Sequence, residues 1–167
     1  IRVERIPLGV ALLIVTYNAP LPNYAWKSFP ALMAGNSVIL KPSPTTALSA
    51  NLFAEVLWDC GVPQDAFQVI HGEGEIAAAI IECGVDLVSF TGSYATGQKV
   101  VHATARTLAK TIVELGGSNP FIVCADADLD EAAEVAVDSA FSNAGQRCSS
   151  ASRVIIEDSV YSSFREL

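Results

Sequence analysis

Basic residues are scarce in this sequence: ten lysines and arginines stand against eighteen aspartates and glutamates, a formal charge of −8 over 167 residues. Affinity for a phosphate backbone depends on lysine and arginine neutralising phosphates, so this balance argues against a nucleic-acid partner. An acidic surplus of this kind serves solubility. Long apolar runs are missing as well. The longest, Val10 to Val15, is far shorter than the roughly 20 residues needed to span a bilayer. No basic segment with a cleavage site opens the chain. These absences describe a soluble chain with no membrane partner. Histidine is limited to His71 and His102, and the four cysteines at 60, 83, 124 and 148 form no Cys-x-x-Cys pair. A structural zinc site therefore has little support, and a reduced, cytoplasmic compartment is expected. Repeats and low-complexity segments are also lacking. With 51% apolar and 17% charged residues, the composition excludes a disordered chain and a coiled coil, and suits one domain or a domain with part of another.

Cys60, Cys83 and Cys124 each have apolar neighbours and read as small core residues. The chain begins at Ile1-Arg2-Val3 and stops at Phe164-Arg165-Glu166-Leu167, inside a helical pattern. It is expected to be a piece of something longer.

Apolar blocks alternate with helical patterns along the chain. Gly9 to Val15 reads as a strand, followed by the breaker-rich Asn18-Ala19-Pro20-Leu21-Pro22-Asn23. Ser37 to Leu40 is a second strand, stopped by Lys41-Pro42-Ser43-Pro44. A helix fits Thr46 to Cys60, where Leu48, Leu52 and Val56 recur every four residues and Gly61 ends the pattern. Further strands are expected at 67–70, 87–90, 111–115, 121–124 and 153–157, and helices at 75–83, 94–105 and 129–143. Asp128 is placed to cap the last of these. Strands with unbroken hydrophobicity, alternating with helices, predict an open and largely parallel sheet with helices on both faces. Ligands in such folds bind beyond the carboxyl ends of the strands.

The segments that follow strands carry the candidate chemistry. Gly72-Glu73-Gly74-Glu75-Ile76-Ala77 matches a G-x-G-x-x-A dinucleotide fingerprint, but no acid stands about twenty residues on. A plain glycine turn explains it equally well. In Phe90-Thr91-Gly92-Ser93 the glycine permits close backbone approach, and the following helix offers its N-terminus to an anion. Ser93 is either a helix cap alone or a cap that also faces a phosphate. Lys41, between an apolar strand and two prolines, is either a solvated loop lysine or a donor to a ribose or phosphate. Glu114, at the end of an apolar strand before Gly116-Gly117, is a surface residue or a desolvated general base. Cys148 lies in the polar turn Gly145-Gln146-Arg147-Cys148-Ser149-Ser150. That setting is unusual for a structural cysteine, and it leaves two readings, an ordinary lone cysteine or a nucleophile whose thiolate Arg147 favours.

Together these stretches, with Thr16-Tyr17-Asn18-Ala19-Pro20 before them, resemble the aldehyde dehydrogenase superfamily, in the family's order and at close to its spacing. The resemblance spans nearly the whole chain. It implies a Rossmann-like cofactor domain over residues 1–116 and the start of a second α/β catalytic domain over 117–167. It casts Cys148 as the thiol that adds to an aldehyde. Asn18, with the Cys148 backbone N–H, becomes the holder of the oxyanion, and Glu114 the base that activates water against the thioester. Lys41 is implied at the adenosine ribose, Gly74 near the adenine and Ser93 at the pyrophosphate. Thr16, Gly92, Gly97 and Leu115 complete the cofactor-binding set, for NAD or NADP, in a protein that forms homo-oligomers when full length. No metal is implied.

Three positions depart from the family pattern. Pro44 replaces a frequent glutamate that binds the ribose hydroxyls, which leaves NADP open beside NAD. Tyr94-Ala95-Thr96 and Ser118 also differ from common members. A coenzyme A-acylating dehydrogenase and a non-catalytic protein on the same scaffold are the competing readings. Tyr17 and Trp26 do not by themselves define an aldehyde pocket.

Overall fold

The computed structural model describes Glu4 and residues 6–167. Its chain divides into two compact units, one ending at Leu115 and one running from Gly116 to Leu167.

The first unit runs β1 (Val10–Ile14), α1 (Pro20–Met33), β2 (Ser37–Lys41), α2 (Ala47–Asp59), β3 (Phe67–Val69), α3 (Gly74–Glu82), β4 (Leu87–Gly92), α4 (Tyr94–Thr107) and β5 (Lys110–Leu115). The strands form one sheet in the order β3-β2-β1-β4-β5, and every pairing is parallel. β1 lies at the centre, which explains its unbroken apolar run. Ala11, Leu13 and Val15 enter one core cluster with Tyr24 of α1 and Ala50, Ala54 and Leu57 of α2. Leu12 and Ile14 enter another with Ala77 and Ile81 of α3 and Val100 of α4. Successive strand residues point to opposite faces, so helices cover both faces of the central strand. This is the open parallel α/β sheet that the alternating pattern predicts.

The second unit contains β6 (Asn119–Val123), α5 (Leu129–Phe141), β7 (Ala151–Ile156) and α6 (Tyr161–Arg165). β6 and β7 form a separate parallel pair. Asp128 caps α5 as expected: the Glu131 N–H donates to its Oδ1 over 3.2 Å.

Two expectations need correction, the breaker-rich stretch and the three core cysteines, and one helix face is disclosed only by the structure. The breaker-rich stretch after β1 is not a loop, because α1 begins at Pro20. Proline at the first position of a helix loses only an N–H that has no helical partner there. In α2, Leu48, Leu52 and Val56 point outward, at 73%, 53% and 60% exposure, while Ala50, Ala54 and Leu57 face the sheet. Cys60, Cys83 and Cys124 are exposed, not core. The first two terminate α2 and α3 and the third follows β6, all places where the chain leaves its packed layer. Among the described residues, no helix is long and apolar enough to cross a membrane, and no group of three His, Cys, Asp or Glu side chains is placed to hold a metal.

Candidate active site

The sheet of the first unit gathers most of the candidate residues at one end. Ile14 pairs with Lys41 on one side and Phe90 on the other, Thr91 pairs with Glu114, and Gly92 with Leu115. From β1 the chain progresses outward through β2 and β3, then returns to place β4 on β1's other side. The carboxyl ends of β1 and β4 therefore flank a topological switch point, where α/β sheets bind ligands. Thr16 and Asn18 follow β1, and both are half-buried.

Lys41 is not a solvated loop residue. It closes β2 and is only 5% exposed. Its Nζ donates to the carbonyls of Gly72 (2.6 Å) and Pro42 (3.0 Å), leaving one of three ammonium protons for a ligand. Burial pushes its pKa below the ordinary 10.5, against the opposing charges of Glu73 and Glu75. Gly72 holds φ +144°, and a side chain there would collide with Ile76. Gly74 opens α3 with nothing within 4 Å of where a Cβ would stand, so a ligand has free approach to its backbone.

Ser93 caps α4. Its Oγ accepts from the Thr96 N–H (3.3 Å) and donates to Thr96 Oγ1 (3.0 Å). The capping role expected of it is therefore met within the chain. A Cβ on Gly92 would stand 2.5 Å from Phe90 Cζ, and one on Gly97 would stand 2.5 Å from Leu115 Cδ2. Both glycines thus let the first turn of α4 lie against β4 and β5. Beside them, the Thr91 hydroxyl is buried without a hydrogen-bond partner. An orphaned hydroxyl, two close-packed glycines, a helix N-terminus and one spare ammonium proton at the same sheet end fit a dinucleotide.

Glu114 is exposed. Of the two settings open to it in the sequence, the surface one is observed. Its charge acts on a cation that the sequence did not disclose. Lys27 of α1 donates from Nζ to Ser89 Oγ of β4 at 2.7 Å. Burial pushes the Lys27 pKa down, and the charge of Glu114 opposes that shift. No sequence signal pointed to Lys27, because its helix was itself hidden behind prolines.

Cys148 lies in the second unit, exposed, between α5 and β7. Three consecutive residues upstream, Asn143, Ala144 and Gly145, hold φ of 53°, 55° and 70°. Asn119 Nδ2 donates to the carbonyls of Cys148 (2.6 Å) and Ser150 (3.1 Å). Arg147 is exposed. Asn18, Lys41, Gly74, Gly92, Ser93, Gly97, Glu114 and Leu115 belong to the first unit and Cys148 to the second.

Comparison with known proteins adds to this geometry. The aldehyde dehydrogenase family model matches residues 1–167. The mitochondrial benzaldehyde dehydrogenase of Antirrhinum majus is 42% identical over 163 residues, which are 96% of this chain and 30% of that protein. Betaine aldehyde dehydrogenase from Staphylococcus aureus, solved in complex with NAD+, superposes with a TM-score of 0.90 at 35% identity, covering 96% of this chain and 32% of that one. An NADP-dependent enzyme of E. coli gives 0.92 at 40% identity, covering 96% and 34%. The chain thus spans about a third of the length of these relatives. On the match over its whole length and this level of identity, the chain belongs to the aldehyde dehydrogenase family.

Proposed function

We propose that the protein to which these residues belong oxidises an aldehyde to a carboxylic acid with NAD+ or NADP+, and that Cys148 is its nucleophile. The observation that carries the reading is an exposed thiol on a backbone-clamped polar turn, in a chain of this family.

The residues divide the chemistry as follows. The Cys148 thiolate adds to the carbonyl carbon, forming a C–S bond and moving the carbonyl electron pair onto oxygen. The side-chain amide of Asn18 and the backbone N–H of Cys148 donate to that oxyanion, which is where charge develops in the transition state. A bound nicotinamide supplies the hydride acceptor. Return of the oxyanion's electron pair re-forms the carbonyl, breaks the C–H bond of the former aldehyde so that its hydrogen leaves as hydride, and leaves a thioester on Cys148. Glu114 takes a proton from water, whose oxygen attacks the thioester, breaks the C–S bond and frees the acid and the thiolate.

Lys41, Gly74, Gly92, Ser93 and Gly97, with Thr16 and Leu115 at the same sheet end, hold the dinucleotide. Pro44 is exposed and carries no carboxylate to repel a 2′-phosphate, so both cofactors remain in the reading. In this assignment residues 1–116 are cofactor domain and 117–167 begin the catalytic domain. The four free thiols suit a reducing compartment, which we take to be the cytoplasm, and the assembled protein is a homo-oligomer acting on a small-molecule aldehyde.

The test is Cys148→Ala in the full-length protein. Aldehyde-dependent NAD(P)H formation is expected to vanish while nucleotide binding, followed by fluorescence titration, persists. Retained turnover would refute the assignment.

A further inference from the structure

We propose that Asn119 is a positioning residue: its carboxamide holds the Cys148 backbone in the orientation that carbonyl addition requires. The inference rests on Cys148 being the nucleophile, as proposed above.

The need for such a clamp follows from the strand register. β6 and β7 pair Asn119 with Ala151 but Pro120 with Arg153, so the ladder is irregular where β7 begins. Pro120 has no N–H to give that ladder. Regular main-chain pairing therefore weakens just after the cysteine turn. The Asn119 side chain takes over. Its amide nitrogen has two hydrogens to donate, and both go to main-chain carbonyls across the chain, Cys148 at 2.6 Å and Ser150 at 3.1 Å. Two carbonyls held two residues apart fix residues 148–150 as a unit. Gly117 leaves the carboxamide its seat, since a Cβ there would stand 3.0 Å from Asn119 Oδ1.

The upstream side of the turn is constrained in another way. Asn143, Ala144 and Gly145 all occupy the left-handed region, which an alanine adopts only when its surroundings require it. The Ser150 N–H closes the turn onto the Arg147 carbonyl at 3.2 Å, and the Ala151 N–H donates to Ser139 Oγ of α5 at 3.3 Å. Cys148 thus sits between a turn of fixed handedness and a side-chain clamp. Its N–H, assigned to the oxyanion, and its carbonyl, held by Asn119, belong to peptide planes that meet at one Cα. Fixing the second plane limits how far the first plane and the thiol can swing. An interaction of this kind acts on the addition step and not on substrate capture, so its loss shows in kcat and not in KM.

The experiment compares Asn119→Asp and Asn119→Ser with the parent in the full-length protein. The aspartate is nearly isosteric and removes both donors, while the serine keeps a single shorter one. The Cys148 carbonyl bond is exposed, so water can replace it and the serine variant is expected to fold. Peptide-resolved alkylation by iodoacetamide counts accessible Cys148, and fluorescence titration gives nucleotide affinity. The expected result for the aspartate is a kcat per accessible Cys148 lower by about tenfold to a hundredfold, with aldehyde KM changed by less than about twofold. Nucleotide affinity stays unchanged and the serine variant falls between. An unaltered kcat per accessible thiol overturns the proposal. So does a kcat loss matched by lost alkylation or by weakened nucleotide binding, since that marks a merely structural role. An active Cys148→Ala protein would instead remove the nucleophile assignment beneath it, independently of any Asn119 result.

Discussion

Lysine 41 shows what a single residue's surroundings add to its place in the sequence. Its position after an apolar strand is readable from the chain, but its burial and its two carbonyl partners are not, because Gly72 comes from another strand's loop. Asn119 and Lys27 are hidden for the same reason, since each acts through a partner 29 or 62 residues away. Glu114 and Cys148 stand out in sequence by residue type and local setting, but only the structure decides between the two settings open to Glu114, and it is exposed. Lys41 carries a consequence for stability. Burial lowers its pKa in the folded protein, so between that value and the unfolded 10.5 the unfolded chain binds more protons. Its contribution to stability must therefore rise with pH through that alkaline window. Replacement by methionine removes the titration. Between neutral pH and about pH 10, the denaturant midpoint of the parent should gain on that of Lys41→Met. A gap that stays constant across the range would contradict this account.

At the scale of elements, the strands were legible and their neighbours less so. β1 and β2 announce themselves because both faces are covered, which leaves a continuous apolar run. α1 did not, because Pro20 and Pro22 read as breakers although both lie in the first turn. In α2 the helical period shows in the sequence but the buried face does not: alanines pack closely against the sheet while the larger Leu48, Leu52 and Val56 stay outside. Helix α4 holds a further conflict between local preference and structure. It ends at Leu108, which adopts the left-handed conformation (φ 57°, ψ 23°) usually given to glycine. Leu108 is 89% exposed, so replacing it sacrifices no packing. Leu108→Gly should therefore stabilise the protein by about 1 kcal/mol, relief of the left-handed strain outweighing glycine's greater unfolded-state freedom. A shift of the chemical denaturation midpoint to lower denaturant would show that reasoning to be wrong.

For the molecule as a whole, the two units differ sharply in how much apolar surface each buries by itself. The first unit holds two clusters astride a five-stranded sheet. In the second, Val123 and Ala136 are the buried hydrophobic residues, while Ile122, Val135, Val137, Phe141, Val154 and Ile155 remain exposed. A unit of that size with so small a core cannot offset the entropy of ordering its chain. Its exposed apolar side chains call for cover that the unit does not itself provide. The expectation is therefore asymmetric. Expressed as they stand, these residues should protect the amides of β1, β2 and β4 strongly against hydrogen exchange, while the amides of β6 and β7 exchange rapidly. Turnover should be very weak, because the cysteine turn depends on β6 and β7 for its clamp. Protection of β6 and β7 equal to that of β1, measured by peptide-resolved exchange, would mean that the second unit is stable on its own. The geometry around Cys148 would then need no help from elsewhere to persist.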